Sequence, residues 1–281
     1  MDAAPFLKWA GGKTYLLPEI LARIPKTWDR EQHLYVEPFL GGGAVFFALQ
    51  PTRAILSDLN FQLMAMYRNV QGNLEPFMRA LSALKVNYEW DPEGAYLDAR
   101  SAFNDQAWVG QSDTNTAARF LLLNKTCFNG LYRVNEAGAF NVSWGKRARA
   151  GIPSDEHLQA CSQALQNATL LDRDAIELAG SFEPEGALIY CDPPYVPTSK
   201  TADFTKYTVD GFAYTDQLRL AIQAAYWRDA GAHVILSQAA DESLVGQYRR
   251  LGFEADLVKA PRRINSKGTG RGLVEEYIIH G

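Results

Sequence analysis

Short apolar runs punctuate the chain at Leu34-Tyr35-Val36, Ala54-Ile55-Leu56, Ala168 to Leu171, Ala187 to Tyr190 and His233 to Leu236. Runs of this length, each followed by polar or glycine-rich residues, predict the buried strands of an open α/β sheet. Between the second and third runs the period changes. Leu74, Phe77, Met78, Leu81 and Leu84 recur at spacings of three and four, which predicts an amphipathic helix, and Ala117, Phe120, Leu121 and Leu123 predict another. Helices are also expected over Thr14 to Leu21 and Ala44 to Leu49, and from near Asn60. Leu131-Tyr132-Arg133-Val134 and Ala139-Phe140-Asn141-Val142 flank the turn-like Asn135-Glu136-Ala137-Gly138, so a β-hairpin is predicted inside the helical stretch. The pattern thus divides the chain into a discontinuous α/β domain, residues 1–60 and 168–281, and a mostly helical insertion over 61–167. Val196 to Phe212, rich in Thr, Ser, Lys and Asp, is expected to be a mobile loop.

With 281 residues and 47% hydrophobic content, the chain can bury a full core. No stretch approaches the ~20 apolar residues of a membrane span, and Met1 to Lys13 lacks the layout of a secretory signal, so a cytoplasmic protein is expected. Cys127, Cys161 and Cys191 are scattered without metal-ligand spacing, which predicts reduced thiols and no metal site. The net charge of −4 argues against a wholly basic nucleic-acid coat but allows a local cationic face. Lys146, Arg147 and Arg149 form one such cluster; Arg262, Arg263, Lys267 and Arg271 form another.

The strongest chemical signal is Asp192-Pro193-Pro194-Tyr195, directly after an apolar strand. The exocyclic amine of a purine is a poor nucleophile because its lone pair is delocalised into the ring. An enzyme that alkylates it must hold both N–H groups while the nitrogen becomes tetrahedral. Asp192 can supply a carboxylate acceptor and Pro193 a backbone carbonyl, with the two prolines fixing φ and keeping that carbonyl aimed. Tyr195 offers a flat face for a base to stack on. A second signal is Val36-Glu37-Pro38-Phe39-Leu40-Gly41-Gly42-Gly43, a strand running into a glycine turn where a ligand can approach the backbone closely. Asp58, just past the next strand, suits two ribose hydroxyls, or can instead cap the helix beginning near Asn60. In Phe6-Leu7-Lys8-Trp9-Ala10-Gly11-Gly12-Lys13, Lys13 can pair with a carboxylate, with Trp9 packing nearby. The alternative there is a plain entry into a helix.

Together with Asn124-Lys125-Thr126-Cys127-Phe128-Asn129-Gly130-Leu131-Tyr132-Arg133, and in this order, these motifs resemble the Dam-type, D12-class (alpha group) adenine-N6 DNA methyltransferases across nearly the whole chain. The resemblance implies a Rossmann-like, S-adenosylmethionine-dependent methyltransferase sheet of α/β class, with an inserted, mostly helical DNA-recognition domain carrying a β-hairpin. It implies that Trp9, Lys13, Glu37, Pro38, Phe39, Gly41, Gly43, Asp58, Asp174 and Asp192 surround S-adenosylmethionine. Asp192, Pro193, Pro194 and Tyr195 would hold the target adenine. At Ala175, beside Asp174, the chain departs from the aromatic these enzymes often carry.

Chemistry on an adenine within a duplex requires its extrusion. The resemblance makes Phe128 the wedge, Asn129 a partner for an orphaned base or a phosphate, and Arg133 a reader of a guanine edge. Lys125, Lys146 and Arg147 are expected on phosphates, as are Arg263, Lys267 and Arg271 in a loop between the last strands. The implied partner is double-stranded DNA and the leading target GATC. The oligomeric state stays open, a monomer being sufficient. Rivals are an RNA adenine methyltransferase, an inactive DNA-binding regulator on the same scaffold, and a nicotinamide-dependent oxidoreductase built on the glycine turn. The oxidoreductase leaves Asp192 to Tyr195 without a purpose. Asp at position 192 favours adenine over the glutamine or cytosine acceptors that Asn or Ser there would suggest.

Overall fold

The computed structural model describes residues 2–106, 113–195, 212–261 and 273–281. Its strands are β1 (Tyr35–Glu37), β2 (Ala54–Ser57), β3 (Ala168–Leu171), β4 (Leu188–Cys191), β5 (His233–Ala239), β6 (Glu254–Pro261) and β7 (Leu273–His280). They form one sheet in the order β3-β2-β1-β4-β5-β7-β6, a Rossmann-like arrangement. The five strands expected from apolar runs are present and mutually parallel. The last two pair antiparallel and close one edge, with β7 between β5 and β6. The apolar-run criterion misses both.

Alternate residues of the central strands feed opposite faces, as the pleat requires. Tyr35, Leu188, Tyr190 and Ile235 point into one core. Val36, Ile189, Cys191, Val234 and Leu236 point into the other. The second core is sealed by α8 (Tyr214–Asp229) and α9 (Glu242–Arg250) through Trp227 and Tyr248. Because both faces are covered, a strand such as β4 reads as an unbroken apolar run with every residue buried.

The helices are α1 (Leu17–Leu21), α2 (Ala44–Leu49), α3 (Phe61–Gly72), α4 (Leu74–Trp90), α5 (Pro92–Gln106), α6 (Thr114–Thr126) and α7 (Asp155–Leu165), besides α8 and α9. α3 to α7 all fall between β2 and β3 in the chain, and their apolar stripes join the first core. Local caps account for several starts: Asn60 accepts from Leu63 N, Asp113 from Thr116 N and Ser154 from His157 N. α1 begins at Leu17, three residues later than expected. Pro18 has no N–H to bond back to Thr14, so the segment before it closes as a turn, with Leu16 N donating to Lys13 O at 2.8 Å.

The predicted hairpin is antiparallel but carries only the isolated bridges Val134↔Phe140 and Cys127↔Trp144. Side chains of α5 bond the outward-facing backbone groups of the hairpin's second arm. Asn104 bonds both Phe140 N and Phe140 O, and Tyr96 and Arg100 donate to Val142 O. The expected mobile loop lies outside the described residues, except Phe212.

Candidate active site

The chain runs β1, β2, β3 toward one edge of the sheet and β4, β5 toward the other. The C-terminal ends of β1 and β4 therefore flank the point where strand order reverses, where open α/β sheets hold ligands. A cavity of about 270 Å³ opens there.

β1 delivers the glycine turn. Gly41 (φ 46°) and Gly43 (φ 66°) lie in the left-handed region that favours glycine. A Cβ at Gly41 would stand 2.6 Å from Trp9 Cδ1, so this glycine lets the indole lie against the turn. Trp9 also packs on Tyr132, with ring centres 5.8 Å apart, joining the N-terminal segment to the hairpin.

β2 delivers Asp58. Its two oxygens accept from Gly41 N and Asn60 N, both at 2.9 Å, so it ties the glycine turn to the start of α3. Asn60, not Asp58, is the side-chain cap of α3. Asp58 remains on the cavity wall, and burial raises its carboxyl above the ordinary value. Glu37 lies deeper, accepting from Tyr35 OH at 2.8 Å, and burial holds its carboxyl well above the usual range.

β4 delivers Asp192. Lys13 Nζ is 2.8 Å from Asp192 Oδ1 and donates to Gly11 O at 2.7 Å. Burial pushes the Asp192 carboxyl up to about 6, Lys13 pulls it down, and the charge of Glu276 adds to the rise. Only 18% of the Asp192 side chain is exposed, and Asp192 lines the cavity. The loop after Asp192 is braced from behind. Gln217 donates to Pro194 O at 2.8 Å, and Gln238 donates to Gln217 Oε1 at 2.9 Å. Tyr195 OH donates to Glu276 Oε2 at 2.8 Å, and the Lys13 ammonium sits 4.9 Å from the centre of the Tyr195 ring.

Trp9, Lys13, Glu37, Pro38, Phe39, Gly41, Gly43, Asp58, Asp192, Pro193, Pro194 and Tyr195 all line this one cavity. Asp174 does not. It lines an adjoining pocket of about 110 Å³, shared with Phe39 and Phe212, and its Oδ1 accepts from Ile176 N at 2.8 Å. Asn60, Gln217, Gln238 and Glu276 went unread in the sequence. Glu276 carried a signal: in Val274-Glu275-Glu276-Tyr277-Ile278, strand alternation places it on the same face as buried Ile278.

The second group of candidates lies in the last turn of α6 and beyond it. Phe128 is an exposed aromatic at 50%, Asn129 has a left-handed φ of 56°, and Arg133 Nε donates to Asn141 Oδ1 at 2.7 Å. Lys146 and Arg147 are exposed. Lys125 is partly buried, and burial, helped by the charges of Lys8 and Arg147, lowers its ammonium to about 8. Arg263, Lys267 and Arg271 lie outside the described residues. Among the described residues no helix is long and apolar enough to cross a membrane, and no group of three or more His, Cys, Asp or Glu is placed to hold a metal.

Sheet order, glycine turn and buried acid together define an α/β protein built around a cleft at the point where strand order reverses. Comparison with known proteins gives the class its content. The model of the D12 class N6 adenine-specific DNA methyltransferases matches residues 9–259. The chain is 36% identical over 292 residues to the type II methyltransferase M.MjaIII of Methanocaldococcus jannaschii, covering 100% of both. It is 34% identical over 276 residues to the DNA adenine methylase of Vibrio cholerae, covering 97% of this chain and 94% of that one. It is also 34% identical to the DNA N-6-adenine-methyltransferase of Escherichia phage P1, over 96% of this chain and 34% of the phage protein. This chain belongs to the D12 class of N6 adenine-specific DNA methyltransferases, and it is an enzyme that methylates adenine in DNA.

Proposed function

We propose that the chain transfers a methyl group from S-adenosylmethionine to N6 of an adenine rotated out of duplex DNA, with GATC as the target sequence. The observation that carries this reading is a buried carboxylate, Asp192, followed by Pro-Pro-Tyr and opening onto a cavity at the reversal point of the sheet.

The cavity suits the donor. Asp58 and Asp192 face it with Lys13 as the lysine on its wall, a charge balance that favours a cation, and Phe39 and Leu59 add apolar surface. Asp58 would take the ribose hydroxyls, Lys13 the carboxylate of the amino-acid end, and Trp9 and the glycine turn would close around it. When bound, S-adenosylmethionine supplies a methyl group made electrophilic by a cationic sulfur.

The protein's own part is to bind and orient the amine. At neutral pH Asp192, with its carboxyl near 6, is ionised and accepts one amine N–H; the Pro193 carbonyl accepts the other. Holding both N–H groups draws the nitrogen toward a tetrahedral shape and frees its lone pair. The new cationic amine then gives up a proton to Asp192 or to water. Tyr195 stacks against the base. Residues 61–167 act as the unit that recognises DNA. Phe128 fills the space the adenine leaves, Arg133 reads a guanine edge, and Lys125, Lys146 and Arg147 neutralise phosphates, joined by Arg263, Lys267 and Arg271.

The test is to incubate the purified protein with methyl-labelled S-adenosylmethionine and DNA lacking adenine methylation, digest to nucleosides, and map the modified positions by sequencing. Label in N6-methyladenine at GATC is expected. Label at another sequence would replace the GATC assignment, and no label despite binding of both cofactor and DNA would overturn the reading.

A further inference from the structure

The role of Tyr195 as the stacking surface for adenine, proposed above, depends on its ring keeping one plane. A tyrosine at the mouth of a cavity rotates about two bonds, and something must hold it. The hydroxyl of Tyr195 ends on Glu276, a carboxylate only 4% exposed on β7. The other oxygen of Glu276 accepts from Tyr15 OH, which comes from the turn joining Lys13 to α1. Three separated parts of the chain, at residues 15, 195 and 276, thus meet at one carboxylate, and among the described residues both of its partners are neutral phenols. Burying a carboxylate against two phenols costs more in desolvation than burying an amide of the same shape, so packing alone gives no reason for an acid here. A carboxylate only accepts, and it can therefore receive both hydroxyls at once, which fixes the direction of each; an amide presents one accepting and one donating end.

We propose that Glu276 is a positioning residue for methyl transfer: by accepting from Tyr15 and Tyr195 together, it clamps the Tyr195 ring in the plane against which the target adenine lies. It touches neither adenine nor methyl donor. Its charge also acts on Asp192, whose surroundings are Lys13 from the N-terminal segment, Tyr15, Glu37 from β1, Tyr190 and Cys191 from β4, Tyr195 and Glu276 itself.

The experiment is steady-state kinetics on the full chain with duplex DNA, comparing Glu276→Gln, Tyr195→Phe, their double variant, Tyr15→Phe and Tyr195→Ala. Glu276→Gln and Tyr195→Phe should each lower kcat about tenfold or more, the scale of loss from a misplaced but intact reacting group, with KM for S-adenosylmethionine unchanged. The double variant should be no worse than Tyr195→Phe alone, since Glu276 acts on the ring only through that hydroxyl. Tyr15→Phe should give a smaller loss in the same direction. Glu276→Gln should also move the acid limb of the kcat profile to lower pH, because it removes a negative charge that raises the Asp192 carboxyl. Wild-type kcat in both Glu276→Gln and Tyr195→Phe, with Tyr195→Ala inactive, would overturn the clamp while leaving the stacking role in place. Wild-type turnover in Tyr195→Ala would instead overturn the stacking role. If Glu276→Gln fails to fold, Tyr195→Phe alone decides, because it keeps the ring and the carboxylate and deletes only the hydroxyl between them.

Discussion

The cavity and the arm after α6 hold their polar groups in opposite ways. Around the cavity, Asp58 is tied to two backbone N–H groups, Asp192 to Lys13, and Tyr195 to Glu276. On the arm from Lys125 to Arg147, Phe128, Lys146 and Arg147 lie exposed, and the backbone carries isolated bridges where a ladder would run. Groups that must act on a developing charge are oriented in advance, because reorganising them during the reaction would add to the barrier. Groups that meet a large polyanion keep their hydrogen-bonding capacity for it. Changes in the cavity should therefore cost turnover with little loss of DNA affinity, and changes on the arm should do the reverse.

The most severe test is Asp192→Ala. Turnover should fall by about a thousandfold or more, in line with the loss of one preorganised group at the reacting atom, with DNA and cofactor affinity within a few-fold of normal by titration. Near-normal kcat would remove Asp192 from the chemistry and erase the contrast. Next in size is Phe128→Ala, where the Kd for DNA should rise by roughly ten- to a hundredfold, equivalent to about 1.4–2.7 kcal/mol of lost bracing, with kcat at saturating DNA changed far less. Because Phe128 is half exposed, the melting temperature should stay put; an equal loss of stability would make it a core aromatic instead.

A subtler test uses pH. The Asp192 carboxyl near 6 places an acid limb in kcat at about that pH, with activity lost as the acceptor is protonated below it. Lys13→Gln should raise the limb, since Lys13 lowers that carboxyl. A limb unmoved by the loss of Lys13 would assign it to another group. The smallest effect belongs to Lys125, charged below about 8 and neutral above it. DNA affinity measured at fixed salt should weaken a few-fold between pH 7 and 9, the loss of one phosphate contact. Lys125→Arg, which stays charged throughout, should flatten that dependence.

The same contrast governs how far the sequence could be read. Strands buried on both faces appear as apolar runs, which made β1, β2, β4 and β5 legible, while the half-exposed edge strand β3 showed through Leu170 and Leu171; the motifs after β1, β2 and β4 line one cavity. β6 and β7 escaped because strands at the sheet's antiparallel edge mix charges with apolar residues, as in Glu254-Ala255-Asp256-Leu257. Gln217 and Gln238 escaped for a different reason: each sits in a helix or strand that reads as ordinary, and their value comes from meeting each other and Pro194 across the fold. Asp174 shows the limit of adjacency in sequence. It lies one residue from Ala175 on the cavity wall, yet its own side chain serves the neighbouring pocket.

One feature of the sheet bears on how the enzyme is made. β7 is the last of the seven strands to be synthesised, yet it lies inside the sheet, hydrogen-bonded to β5 on one side and β6 on the other. A chain still on the ribosome can assemble β1 to β5 and the glycine turn, but it lacks the strand that brings Glu276 to Tyr195. On the roles proposed above, the parts that grip a methyl donor are thus complete before the part that steadies the acceptor, and a nascent chain released short of residue 276 would be a binder without a finished site.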